Sequence, residues 1–175
     1  VRSQVGPVMP EPVVRIADEP PVDFAPPQSE RFGAQLRHVG TRLGIPGLGC
    51  RHIELAPGKR AFPYHNHLGN DEIFVILAGS GTYRFGSNEY PIRAGDICGA
   101  PRGGTETAHQ IINSGAEPLA YLAISTVQDP DICEYPDSRK FAAFAKGQGR
   151  DFATAYFRYV GREDTALEYF DGEDP

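Results

Sequence analysis

His65-Asn66-His67-Leu68-Gly69-Asn70-Asp71-Glu72-Ile73-Phe74-Val75-Ile76-Leu77-Ala78-Gly79 is the stretch whose reading decides the fold. An H-x-H on a strand points both imidazoles to one face, because strand residues i and i+2 share a face. Gly69-Asn70 supplies a turn, and Glu72 opens an apolar run that can fold back beside the histidines. A carboxylate opposite two imidazoles makes a three-donor face for a first-row divalent metal. His109 opens a later apolar run and can supply a fourth donor.

On both sides of this stretch the chain reads as short apolar runs broken by Gly, Pro and Asn. Strands are predicted over 35–42, 49–55, 60–65, 71–78, 81–85, 88–92, 96–100, 108–113 and 119–127. Pro57-Gly58, Gly79-Ser80-Gly81, Gly86-Ser87-Asn88 and Ala94-Gly95-Asp96 punctuate them. Many short strands with regular turn signals predict an all-β sandwich or barrel. After Asp129-Pro130 the pattern weakens. Asp137-Ser138 reads as the cap of a short helix over 139–146, and 152–160 as an aromatic-rich strand.

The punctuation resembles that of the cupin family. Gly58, His65-x-His67, Glu72 and Gly79 are similar to the first cupin motif, with six residues rather than the usual five between Gly58 and His65. Gly95, Pro101, Gly103, His109 and Asn113 are similar to the second, although the stretch from Gly103 to His109 is about three residues longer than usual. The resemblance implies a double-stranded β-helix (jelly-roll) barrel. It implies one divalent ion (Fe, Mn, Zn, Ni or Co) held by His65, His67, Glu72 and His109, and often a homodimer. The segment Pro136-Asp137-Ser138 and the Pro-rich start are similar to a bacterial group of small cupins without an assigned function.

Seven of the sixteen prolines fall in residues 1–30, so that segment is expected to be an extended arm, with the barrel over 31–128. Residues 129–175 are expected to pack on the barrel as an extension with an acidic tail. A net charge of −6 without a basic stripe argues against a nucleic-acid partner. No apolar run approaches a membrane span, and no signal peptide is visible after Val1, where a trimmed start could hide one. Cys50, Cys98 and Cys133 are too few and too scattered for a disulfide framework, which points to a cytoplasmic setting.

Strand parity extends the site. Phe74 and Ile76 should face inward with Glu72, Ile111 and Asn113 with His109, and Pro63 with the H-x-H pair, leaving Phe62 and Tyr64 outside. His38 and His52 are read as bystanders, and Tyr83, Phe85 and Tyr121 chiefly as core. Arg102 and Glu106, on the long segment before His109, are an anion contact and an acid/base candidate, with solvated loop charges as the plainer reading. An apolar cavity beside a metal suits a small organic ligand. Three functions follow: a sugar or sugar-phosphate isomerase or epimerase, an Fe(II)-dependent dioxygenase, and a non-catalytic small-molecule sensor. No Lys or His base is evident beside the ligands, which weighs against the first.

Overall fold

The computed structural model describes residues 10–147 and 154–173. Its strands are, in chain order, β1 (Val22–Phe24), β2 (Ala34–Arg37), β3 (Leu48–Leu55), β4 (Asn66–His67), β5 (Glu72–Ala78), β6 (Ser80–Phe85) and β7 (Asn88–Arg93). They continue as β8 (Ile97–Ala100), β9 (His109–Ile112), β10 (Leu119–Thr126), β11 (Asp131–Tyr135), β12 (Lys140–Ala145) and β13 (Phe157–Gly161). One five-residue helix, α1 (Val39–Leu43), lies between β2 and β3.

Three antiparallel sheets make two layers. The first has the order β1-β2-β3-β10-β5-β8. Against it stand β7-β6-β9 and β13-β12-β11-β4, linked by an antiparallel bridge between His65 and His109. This is the jelly-roll arrangement expected from the sequence. Alternation along the strands explains the core. Ile53 and Leu55 of β3, Phe74 and Ile76 of β5, and Leu119 and Tyr121 of β10 point inward. There they meet Tyr83, Ile92 and Ile111 of the β7-β6-β9 sheet. Asn113 is fully buried and donates to the carbonyls of Leu55 and Glu117, so a polar group closes this end of the core without an unmet donor. At Gly79 φ is +77°, and a Cβ would lie 2.3 Å from the Pro118 carbonyl oxygen, so only glycine turns the corner from β5 to β6.

Four local expectations are corrected. The strand predicted over 35–42 stops at Arg37, and α1 follows, ended by Gly44 in the left-handed conformation. Residues 60–65 form two isolated bridges rather than a strand, so alternation does not govern them. Phe62 accordingly packs against the core, and Tyr64 is buried with its hydroxyl on the Gly86 carbonyl. The helix predicted over 139–146 is strand β12. Pro136–Ser138 forms a 3-10 turn, Arg139 turns left-handed, and the chain pairs back along β11. That pairing overrides the helix preference of an alanine-rich segment. β11 was not predicted. The strand expected over 152–160 begins at Phe157, and residues 152 and 153 lie outside the described residues.

Candidate functional site

The four sequence-selected residues meet between the layers. Glu72 is the first residue of β5 and points inward with Phe74. His67 ends β4, His65 precedes it, and His109 opens β9, held level with His65 by two backbone hydrogen bonds of 2.8 and 3.1 Å. From the imidazole Nε2 atoms, Glu72 Oε2 lies 2.8 Å away for His109, 3.5 Å for His67 and 3.9 Å for His65. Ligand atoms of His65, His67 and Glu72 all fall within 4.8 Å of one another, close enough to share an ion. His109 joins that trio through its contact with Glu72.

The outer nitrogens fix the tautomers. His65 Nδ1 donates to the Pro63 carbonyl at 2.8 Å, His109 Nδ1 to the Thr107 carbonyl at 3.3 Å, and His67 Nδ1 to the Asp131 carboxylate at 2.7 Å. Each acceptor lacks a proton of its own, so each Nδ1 carries one and each Nε2 is left facing Glu72, as a lone pair where the ring is neutral and as an N–H where it is charged. Lone pairs and a carboxylate facing one another need a shared cation, either a proton or a metal. This donor set fits a first-row divalent ion.

The electrostatics divide the two histidines of the H-x-H. Burial, then the neighbouring His109, pushes His65 down to about 3, so it stays neutral. His67 is also buried, but its bonds to Asp131 and Cys133 outweigh burial and raise it to about 10. Burial works against ionised Glu72, yet the hydrogen bond from His109 and the other two imidazoles bring it down to about 2.

β11 supplies the residues that sequence reading missed. Asp131, Cys133 and Tyr135 alternate inward, and β11 pairs with β4 so that Cys133 lies opposite His67. Asp131 has a side chain 1% exposed and accepts from His67, from Asn70 Nδ2 at 2.7 Å and from the Gly69 backbone at 3.0 Å. A Cβ on Gly69 would sit 2.9 Å from Asp131 Oδ1, so glycine lets the carboxylate come this close. Tyr135 stacks on His65 with ring centroids 6.2 Å apart. The period-two run Asp131-x-Cys133-x-Tyr135 was the available signal.

The cluster forms part of the lining of a cavity of about 660 Å³. Phe62, Phe74, Ile111 and Tyr121 make it apolar near the histidines, while His38, Arg51 and Lys146 bring basic groups. Tyr83 is core and donates to the Gly99 carbonyl. Phe85 and Glu106 border a separate shallow cleft, and neither Glu106 nor Arg102 lines the cavity. Glu106 instead folds onto the Gly104 backbone at 3.0 Å. His52 lies on the outer face of β3, 3.4 Å from Arg37, as its parity predicts. The three cysteines are free thiols. Among the described residues no helix is long and apolar enough to cross a membrane.

The comparisons agree with this geometry. Residues 51–125 match the model of the cupin domain. An oxalate-binding protein of Thermotoga maritima is 36% identical over 72 residues, which are 41% of this chain and 56% of that protein. The match thus spans little more than half of that relative's length. A candidate sugar phosphate isomerase of Acidithiobacillus ferrooxidans superposes with a TM-score of 0.66 at 27% identity, covering 78% of this chain and 80% of the other. A cupin-superfamily sugar phosphate isomerase of Silicibacter pomeroyi shares the fold at a TM-score of 0.65 and 21% identity, covering 79% and 82%. The motif-bearing stretch, the jelly-roll topology and the family match converge, and residues 51–125 of the chain form a cupin domain.

Proposed function

We propose that His65, His67, Glu72 and His109 hold one divalent transition metal and that the protein is a metal-dependent enzyme acting on a small organic molecule, of the sugar-phosphate isomerase or epimerase kind. The observation that carries the reading is the set of three imidazoles whose Nδ1 protons are each committed to an oxygen, leaving three Nε2 atoms turned toward one carboxylate. The bound ion would supply Lewis acidity to a substrate oxygen. The chain's own residues do the rest. Asp131 holds the Nδ1 proton of His67 and fixes the ring. Phe74, Ile111 and Tyr121 exclude water from the floor. Burial pushes Tyr135 up to about 12, so its phenol stays protonated and is a donor for a substrate oxygen. The kinship with the candidate sugar phosphate isomerase, at 27% identity over most of both chains, favours this reaction class over oxygenation.

Elemental analysis of untagged protein tests the metal reading. About one ion per chain is expected, lost in Glu72→Ala and His109→Ala while circular dichroism stays that of a β protein. Stoichiometric metal in both variants would sink the ligand assignment. Interconversion of aldose and ketose phosphates by the loaded protein tests the reaction. Oxygen uptake without isomerisation would move the assignment to an Fe(II) dioxygenase.

The dimer implied by the family resemblance has a surface to use. Ile73 and Leu77 of β5 and Ile97 of β8 point outward at 49%, 42% and 71% exposure, beside the outward Leu122 and Ile124 of β10. Pairing of two copies across this face predicts a dimer in sedimentation analysis that Ile97→Asp converts to monomer.

A further inference from the structure

Three atoms able to bind a metal meet at the outer nitrogen of His67, across the ring from the Nε2 that faces Glu72. Asp131 Oδ2 lies 2.7 Å from His67 Nδ1, and Cys133 Sγ lies 3.1 Å from the same nitrogen. An N–H carries one proton, and the shorter, charged bond to the carboxylate takes it. The sulfur is left a share of a bond already made, and among the described residues it makes no other hydrogen bond. The three ligand atoms lie within 4.8 Å of one another, as do those of His65, His67 and Glu72.

Strand geometry holds the trio together. Asp131 and Cys133 share one face of β11 by two-residue alternation, and Cys133 stands opposite His67 in the register of β11 with β4. Asp131 keeps its orientation without the histidine. Its Oδ1 accepts from the backbone N–H groups of Gly69 and Ile132 at 3.0 and 2.9 Å, and its Oδ2 from Asn70 Nδ2 at 2.7 Å. Such bonds aim a carboxylate at a metal. Both residues are buried, and with His67 they line the cavity, so the open side of the trio is the cavity. An ion in the place of the Nδ1 proton would have bonds of about 2.0–2.2 Å to nitrogen and oxygen and about 2.3 Å to sulfur. Tetrahedral angles then set the ligand atoms about 3.4–3.6 Å apart, so the trio opens by about half an ångström. The ion displaces the Nδ1 proton and the thiol proton to solvent. Sulfur sets the preference. The four-residue cluster offers nitrogen and oxygen alone, whereas a thiolate selects borderline and soft ions.

We propose that His67 Nδ1, Asp131 and Cys133 form a second metal site, which takes a borderline or soft divalent ion such as zinc and leaves its fourth position to a water or a substrate oxygen in the cavity. It shares only the His67 ring with the four-residue site and does not depend on it. With Nε2 on one ion and Nδ1 on the other, the ring bridges two ions about 6 Å apart. The four-residue site fills first, because its ligands give up no thiol proton.

Equilibrium dialysis of the purified full chain against cadmium tests the site, because a cadmium–thiolate bond adds an ultraviolet charge-transfer band. Wild type is expected to take about two ions per chain, the second with the band. Cys133→Ala should take about one ion and show no band, while Cys50→Ala and Cys98→Ala keep both the count and the band. Should Cys133→Ala fail to fold, Cys133→Ser, nearly the same size as the native residue, still decides. A band that survives the loss of Cys133 overturns the site. Glu72→Ala separates this site from the four-residue one, and is expected to keep the band at about one ion per chain. A single ion with the band, unchanged in Glu72→Ala, sinks the four-residue site alone. A single ion without the band, lost in Glu72→Ala, sinks the second site alone.

Discussion

The two ends of one interior are built from the same strands and behave as opposites. β3, β5 and β10 run through both. At one end they present Ile53, Leu55, Ile76 and Leu119, nearly without exposure, to the β7-β6-β9 sheet. At the other they present Arg51, Glu72 and Ser125 to β4, β11 and β12, across a cavity. Parity does not change between the ends. What changes is the opposing layer. The β7-β6-β9 sheet fills the space with Tyr83, Ile92 and Ile111, whereas β4 and β11 bring polar groups that pair with one another and leave room. One end is organised by apolar burial, the other by charge and hydrogen bonding. Damage to each should therefore be read out differently.

The widest separation is expected from Leu119→Ala against His67→Ala. Leu119 is fully buried, and its truncation should cost about 3 kcal/mol in urea unfolding while metal content stays at wild-type level. His67→Ala should lose most of the metal and leave the metal-free protein folded. A His67→Ala variant that unfolds, or a Leu119→Ala variant that drops its metal, would break the division.

Asp131→Asn should act next most strongly. The amide retains part of the bonding to Asn70 and Gly69 but cannot hold the Nδ1 proton of His67 with a full charge. Metal affinity is expected to fall about tenfold to a hundredfold, measured by competition with a chelating dye. Unchanged affinity would reduce Asp131 to a structural residue.

The site end should also carry the pH dependence of the metal-free protein. His65 is held down to about 3, below its unfolded value of 6.5, so from 6.5 downward the unfolded chain binds a proton that the folded one refuses. Stability falls with it toward pH 3. His67 is held up to about 10, so its contribution is complete below 6.5 and is lost as pH rises through 10. The metal-free protein should then be most stable near pH 6.5, with each histidine contributing at most about 1.4 kcal/mol per pH unit to its limb, and with a steeper acid limb below 4.5, where Glu72, held down to about 2, adds its own loss. Asp131→Asn should flatten the alkaline limb. Bound metal should flatten it too, because it takes the place of the proton on His67 Nε2. A metal-free stability curve without an alkaline limb would show that Asp131 does not raise His67.

Much of this contrast is legible in the chain, and the remainder fails for identifiable reasons. The spacing of His65, His67, Glu72 and His109 names the cluster because two-residue alternation and a Gly-Asn turn are local rules. The inward positions of Phe74, Ile76, Ile111 and Asn113 follow from the same rule. It breaks at Phe62 and Tyr64, where residues 60–65 are not a strand. Asp131 and Tyr135 escape notice because their role depends on β11 pairing with β4, a contact more than sixty residues apart in sequence that no local pattern encodes.

The smallest effect belongs to a charge pair at neither end. Arg84 donates to Asp137 through two nitrogens at 2.7 and 2.9 Å and stacks over Tyr64 with its guanidinium carbon 3.7 Å from the ring centre. The hydrogen bond from Arg84 holds the Asp137 carboxyl below its ordinary value. A depressed acid stabilises the fold above its unfolded value and gives that up as pH falls, which would add to the acid limb. Asp137 is, however, 55% exposed, and solvent screens the pair. Asp137→Asn should therefore cost about 0.2–1 kcal/mol at neutral pH and less at high salt, with metal content unchanged. The two-nitrogen geometry and the aromatic shelf favour the upper part of that range. A larger loss, or any loss of metal, would mean that the 3-10 turn at Pro136–Ser138 governs how β11 presents Asp131 to His67, and the site would then reach the outer surface of the protein.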